Sequence, residues 1–197
     1  MIDRSVLVPL KPGNQWTYRV VAFDLDGSVA QAQTESRGIY FDSVVSGRQW
    51  SFWLYNPAIW RQFAWMNRSD GFWKYYFVEH YATIYRYVRY PLAVGNIDTL
   101  DINSNADEWK KTPAFNVTRV ASVDTSITVP AGTFSCCVVV EGWRFPEKPY
   151  SGGALDTTAV EWYAPGIGNV REDRYWHNQA GELLLASRSV LTSYSLR

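Results

Sequence analysis

Apolar positions in this chain recur at every second residue over short stretches, and no stretch keeps the 3.6-residue period of a helix for three turns. Runs of β-branched and aromatic residues are cut by the dipeptides Asp26-Gly27, Ser46-Gly47, Asp70-Gly71, Ala131-Gly132 and Ala180-Gly181. The pattern predicts strands over Gln15 to Asp24, Gly38 to Val45, Arg48 to Tyr55, Ile59 to Asn67, Phe72 to His80 and Ile84 to Tyr90. It continues with Phe115 to Val123, Thr133 to Trp143, Thr158 to Tyr163, Asn169 to His177 and Glu182 to Tyr194. Gaps this short favour antiparallel hairpins, since parallel crossovers need a dozen residues or more. The best helical candidate is a turn or two within Asn105 to Thr112. The fold class is therefore all-β, one antiparallel domain over residues 1–197.

One turn motif occurs twice, as Pro9-Leu10-Lys11-Pro12-Gly13-Asn14 and Pro91-Leu92-Ala93-Val94-Gly95-Asn96. Proline fixes its own φ and extends the residue before it, while Gly-Asn accepts positive φ. Leu10 and Leu92 are expected to enter the core beside these turns. The first copy precedes the alternating strand Trp16 to Val20, and the second precedes the shorter, more polar Ile97 to Leu100. Two related halves, about 8–90 and 90–197, are one explanation; a repeated local edge motif is the other.

Between Trp50 and Tyr90 large rings occupy both faces of successive strands. Trp50, Phe52 and Leu54 oppose Trp53 and Tyr55; Trp60, Ala64 and Met66 oppose Ile59, Phe63 and Trp65; Phe72-Trp73-Lys74-Tyr75-Tyr76-Phe77-Val78 repeats the theme. A sheet with one solvated face would alternate apolar with polar. Either both faces are covered by protein, as in a barrel or wrapped sheet, or one face lines a cavity or exposed patch. The candidate ligand-lining residues are Trp53, Tyr55, Phe63, Trp65, Trp73 and Tyr75.

The 10 Trp, 13 Tyr and 9 Phe strengthen the strand reading, because these residues favour sheets. The 19 basic and 19 acidic side chains cancel, which argues against a nucleic-acid partner or an anionic membrane surface. No apolar run is long enough to span a bilayer, and Met1-Ile2-Asp3-Arg4-Ser5 is not an apolar signal region. The chain is thus expected either to stay inside the cell or to be a mature form whose targeting segment was removed. The only cysteines, Cys136 and Cys137, are adjacent in a predicted strand. Their side chains point to opposite faces, so two small buried hydrophobes fit better than a strained vicinal disulfide.

The nucleophile elbow, phosphate loop, dinucleotide fingerprint and His-Glu-x-x-His patterns do not occur, and no cofactor or metal site is expected. Asp101 to Asp107 spaces oxygens like half a calcium loop, but Ala106 and Thr112 stand where Gly and Glu are needed. His80 and His177 fall near predicted strand ends, where surface positions are the commoner outcome. Glu79, Glu161, Glu172 and Asp173 are available as paired carboxylates for a hydrolase, if the fold brings two together. Asn67-Arg68-Ser69 and Asn116-Val117-Thr118 match glycosylation acceptors, and no function attaches to them.

Three ordered segments carry a resemblance: Val8-Pro9-Leu10-Lys11-Pro12-Gly13-Asn14-Gln15-Trp16-Thr17-Tyr18, Val129-Pro130-Ala131-Gly132-Thr133-Phe134-Ser135-Cys136, and Trp162-Tyr163-Ala164-Pro165-Gly166-Ile167-Gly168-Asn169-Val170. With the closing strand Leu183 to Tyr194, the series resembles uncharacterised bacterial envelope β-domains, lipoprotein-like or secreted, of unknown function. The resemblance implies a large antiparallel sheet curved into a half-barrel and an extracytoplasmic setting: periplasmic, outer-membrane-associated or secreted. It implies no activity, and the lipid-attachment cysteine of such precursors does not appear. In the two later segments, Phe134 and Ile167 are the expected core anchors.

The expected function is a non-catalytic envelope binding module holding an apolar or lipid-like small molecule. The alternatives are a structural domain with an envelope protein partner, a carbohydrate-binding domain, and a carboxylate hydrolase.

Overall fold

A computed structural model describes residues 6–55, 63–78, 81–101, 115–144, 156–178 and 181–197. Twelve strands follow in chain order: β1 (Gln15–Phe23), β2 (Val29–Val45), β3 (Arg48–Tyr55), β4 (Phe63–Arg68), β5 (Gly71–Val78), β6 (Tyr81–Arg89), β7 (Ile97–Asp101), β8 (Phe115–Val129), β9 (Gly132–Arg144), β10 (Asp156–Ala164), β11 (Gly168–His177) and β12 (Leu183–Ser195). They form one antiparallel sheet in the order β6-β5-β4-β3-β2-β1-β12-β11-β10-β9-β8-β7. Each strand pairs with the next in sequence except across β6 and β7. The first strand pairs with the last, Trp16 opposite Tyr194 and Val20 opposite Ser189. The sheet thus curls past a half-barrel into a nearly closed barrel.

The remaining seam is joined by side chains. Asp98 on β7 is buried and accepts a 2.7 Å hydrogen bond from Arg86 Nε on β6. Arg89 Nη2 stands 3.6 Å from the same carboxylate oxygen. Inside the seam, Thr118 Oγ1 on β8 donates to the Tyr87 carbonyl at 2.5 Å, covering an edge acceptor of β6.

Two differences from the sequence reading have physical causes. β2 starts at Val29 rather than Gly38 because Val29 to Ser36 is almost wholly exposed and has no core side to impose alternation. Ile97 to Asp101 is a true strand although polar, because it lies on an edge and buries only Asp98 fully. The helical candidate Asn105 to Thr112, the calcium-like segment beyond Asp101, Glu79 and His80 lie outside the described residues.

Connectivity places the tight turns at Ser46-Gly47, Ser69-Asp70, Pro130-Ala131 and Pro165 to Ile167 at one end of the barrel. The N-terminal segment closes this end. Leu7 and Val8 are fully buried with Leu92, Val129, Ala164, Val170 and Leu191 around them. The plug's polar groups are also satisfied. Leu7 N donates to Tyr90 Oη, Asn67 Nδ2 to Val8 O, Ser51 Oγ to Leu10 O, and Gly166 N to Val6 O. Burial pushes the Tyr90 phenol up to about 12. Leu10, Phe134 and Ile167 are half-buried against this core, and both cysteines are buried within it as free thiols.

The twin turns hold the closed end in the same way. In each, Asn N bonds back three residues, to Lys11 O at 3.0 Å or Ala93 O at 3.1 Å. In each, Asn Nδ2 caps the proline carbonyl, Pro9 at 2.8 Å and Pro91 at 2.9 Å. Gly13 at φ 91° and Gly95 at φ 86° take the left-handed conformation that a Cβ disfavours. Each Gly-Asn pair then brackets one residue of the second strand of its half, Ile39 on β2 and Val120 on β8, with N–H and C=O both paired. Asn14 is fully buried and also accepts from Arg197 N at 2.8 Å. Asn14→Ala is expected to destabilise by ~2 kcal/mol and Asn96→Ala by ~1 kcal/mol, read from urea unfolding midpoints at constant m-value. Equal losses would contradict this ranking.

Candidate interior binding site

Alternation along β3 to β6 turns Trp53, Phe63, Trp65, Phe72, Lys74, Thr83, Tyr85 and Tyr87 inward. Their rings meet in a continuous layer across the barrel. Trp16 packs on Trp53 at 5.4 Å between centroids, and Trp53 on Trp65 at 4.2 Å. Trp65 meets Phe72 edge-on at 5.5 Å, and Phe72 meets Tyr87 and Tyr163, each at 6.3 Å. Such contacts add about 0.5–1.5 kcal/mol each beyond area burial. Trp16 Nε1 and Tyr18 Oη are satisfied by the carbonyls of Ile167 and Asn169. On one side of this layer lies the buried N-terminal plug. On the other is a cavity of about 700 Å³, within the size range of small-molecule sites.

The opposite wall, from β2 and β8 to β12, is polar. Glu161 and Glu172 face each other across β10 and β11, with Glu141 beside them on β9. Glu172 is buried between Arg37 Nη1 at 3.5 Å and Arg174 Nη2 at 2.5 Å. Arg37 lies over the Tyr18 ring and also reaches Glu35 and Ser189. Lys74 Nζ lies 3.2 Å from the Tyr87 ring centroid and 3.9 Å from Glu161 Oε2. A desolvated cation over a ring is worth about 2 kcal/mol.

The proton count around Tyr87 is informative. Its hydroxyl is hydrogen-bonded to Glu161 Oε2 and lies 3.1 Å from Glu141 Oε2. One phenolic proton serves one carboxyl at a time, so Glu141 and Glu161 compete for it. Burial pushes the Glu161 pKa above the ordinary carboxylate value, against the downward pull of Lys74. Tyr163 Oη donates to the same oxygen at 2.9 Å, and Asn116 Nδ2 donates to Glu141 Oε1 at 2.9 Å. Burial, then the neighbouring carboxylates, raises the Tyr87 and Tyr163 phenols. Burial also acts upward on Glu172, but Arg174 and Arg37 outweigh it and hold that carboxyl below its usual value. The two facing carboxyls are therefore pushed in opposite directions, Glu161 up and Glu172 down.

Of the sequence candidates, Trp53, Phe63 and Trp65 line the cavity. Trp73 and Tyr75 face the other side of the sheet. There they pack on a second cluster formed by Trp50, Phe52 and Ala64, so they do not share the cavity. Tyr55 stands opposite Arg37 in register, and its side chain lies outside the described residues. The carboxylate candidates divide likewise: Glu161 and Glu172 converge, while Asp173 is clamped by Arg171 and Arg188 away from the cavity. His177 pairs with Asp156 at 2.8 Å near the strand ends. Both glycosylation-type asparagines are used internally, Asn67 by Val8 and Tyr90, and Asn116 by Glu141. The sequence reading missed Arg37, Glu141, Trp143 and Arg174 on the wall. A charge inside an apolar run, as in Val138-Val139-Val140-Glu141 and Val160-Glu161-Trp162, was the available signal.

Fold and site together define a nearly closed antiparallel barrel, plugged at one end and hollow beyond a layer of rings. The chain belongs to the DUF3108-like family, whose model matches residues 92–191. The match spans Val129 to Cys136 and Trp162 to Val170, two of the segments that carried the resemblance. The fold is also that of a protein described as a candidate lipoprotein from Parabacteroides distasonis. The two are 18% identical with a TM-score of 0.53, covering 98% of this chain and 100% of that one. A candidate exported protein of YmcC-like fold from Bacteroides fragilis is 16% identical with a TM-score of 0.51, covering 97% and 99%. No curated protein matches the chain in sequence.

The two facing glutamates are expected to respond oppositely to substitution. Because the folded pKa of Glu161 is raised, its contribution to stability is full below the unfolded value of about 4.3 and is lost as pH rises through the folded value. Glu161→Gln mimics the protonated acid and should gain stability relative to wild type as pH rises above the unfolded value. Glu172 is depressed, so its contribution is present above the unfolded value and is lost on acidification. Glu172→Gln should cost ~2 kcal/mol at neutral pH, since Arg174 is partly solvated, and little in acid. Parallel pH profiles of thermal unfolding for the two variants would refute the assignment.

Proposed function

We propose that the protein is a non-catalytic, extracytoplasmic binding module that holds a small molecule in the barrel interior. The cavity carries this reading. It is about 700 Å³, and Trp53, Phe63, Trp65 and Tyr85 are on its wall. A dry structural core would pack such rings to the density of an organic crystal. Here they stop as a layer, and space remains beyond it. The ligand is one that offers apolar surface to the rings, as a lipid-like or other amphipathic molecule does. The extracytoplasmic setting is supported by the lipoprotein and exported-protein descriptions of the two proteins sharing the fold. Among the described residues no helix is long and apolar enough to cross a membrane.

Facing glutamates also raise the possibility of acid-base chemistry, but their surroundings support binding. Both Glu172 oxygens lie against arginines, and Glu161 Oε2 is taken by two phenols. Groups so fully occupied are better suited to shaping a wall than to exchanging protons with a substrate.

Native mass spectrometry of protein exported to a bacterial periplasm and purified without denaturant is expected to show a small-molecule adduct that denaturation releases. Filling the cavity with Ser187→Trp should abolish it, and Trp73→Ala on the other face should not. An adduct that survives Ser187→Trp, or is lost equally with Trp73→Ala, would refute the interior site.

A further inference from the structure

The chemistry of the cavity wall restricts what fits inside. Its described aliphatic side chains are only Val20 and Leu100; the rest are aromatic, hydroxyl, amide or charged. An acyl chain would therefore lie against many groups that need hydrogen bonds, each costing about 1–3 kcal/mol if stripped of water and left unpaired. Charge does not select an ion either. Glu141, Glu161 and Glu172 face Arg37, Lys74 and Arg174, so the formal charges of the wall balance.

The wall thus combines aromatic faces, dense hydrogen-bonding capacity of both signs and no net charge. Two polar groups have capacity to spare. Among the described residues, the Lys74 ammonium has one ion-pair contact within 4 Å, to Glu161 at 3.9 Å, and three N–H groups to offer. Asn169 Oδ1 is a buried acceptor without a described partner, and its residue lines the cavity. A donor beside the indoles, where Lys74 pairs with Trp65 across β4 and β5, and an acceptor on the opposite wall match a molecule with an apolar C–H face and a rim of hydroxyls, each able to give and accept.

We infer that the occupant is a neutral saccharide of one or a few rings, lying against Trp65 at the cavity side of the ring layer that Trp53 supports, with its hydroxyls on Lys74, Asn169 and the glutamate wall. This rests on the interior-binding reading and sharpens its ligand class.

The test uses the folded full chain with two probes: an array of neutral mono- to tetrasaccharides, with isothermal titration of the strongest binder, and displacement of a fluorescent fatty acid. Saccharide binding is expected, weakened about tenfold or more by Trp53→Ala and by Lys74→Met and unchanged by Trp73→Ala. Far-ultraviolet circular dichroism checks each variant's fold. Lys74→Met decides the matter if Trp53→Ala, which removes a core ring, does not fold. Fatty-acid binding without saccharide binding overturns the ligand class and leaves the interior site standing. Saccharide binding insensitive to Lys74→Met overturns the placement. Failure of both probes, with no adduct in native mass spectrometry, overturns the inference together with the binding reading.

Discussion

The width of a closed sheet governs this molecule. Barrel diameter grows with strand number, and about eight strands make an interior that side chains alone can fill. Twelve strands leave more room than side chains can occupy. The chain fills part of it with its own N-terminal segment, drawn in at the closed end, and part with a layer of its largest rings. The excess of tryptophan and tyrosine follows from this geometry. What neither plug nor rings reach is the cavity. Core and site are therefore two outcomes of one packing problem.

The polar wall obeys a related constraint. Buried charges are tolerated only when paired and hydrogen-bonded. The glutamates, arginines, Lys74 and three tyrosines satisfy this through shared contacts. Most of these side chains serve more than one neighbour, as Tyr87 does for Glu141, Glu161 and Lys74. A network of that kind holds each side chain in one orientation. It gives the wall a fixed pattern of donors and acceptors even without an occupant.

Much of the fold was legible because its signals are local. Turn dipeptides and alternation locate most strands, and the ordered turns indicate the family. The start of β2 was hidden because Val29 to Ser36 has no buried side to write a pattern. The strand at Ile97 was hidden because an edge needs few apolar residues. The site was half legible. Rings on both faces of β3 to β5 announced a layered interior, but one strand cannot say which face turns inward. Hence Trp53 and Trp65 went with Trp73 and Tyr75, which the barrel sends to the other side. The charged wall was obscured because Arg37, Glu141, Glu161 and Arg174 meet only when distant strands curl together.

The β6–β7 seam sets where this structure can yield. Around the rest of the circumference, neighbouring strands are tied by backbone ladders that resist lateral separation. Along the seam the ties among the described residues include Arg86 and Arg89 to Asp98, and Thr118 to the Tyr87 carbonyl. Lateral ties are therefore sparser along that line than across the backbone ladders, including the β1–β12 ladder in the facing wall. Lys74 on β5 and Tyr87 on β6, both on one side of the seam, belong to the charged network, so a change in barrel girth bears on the groups that shape the cavity wall.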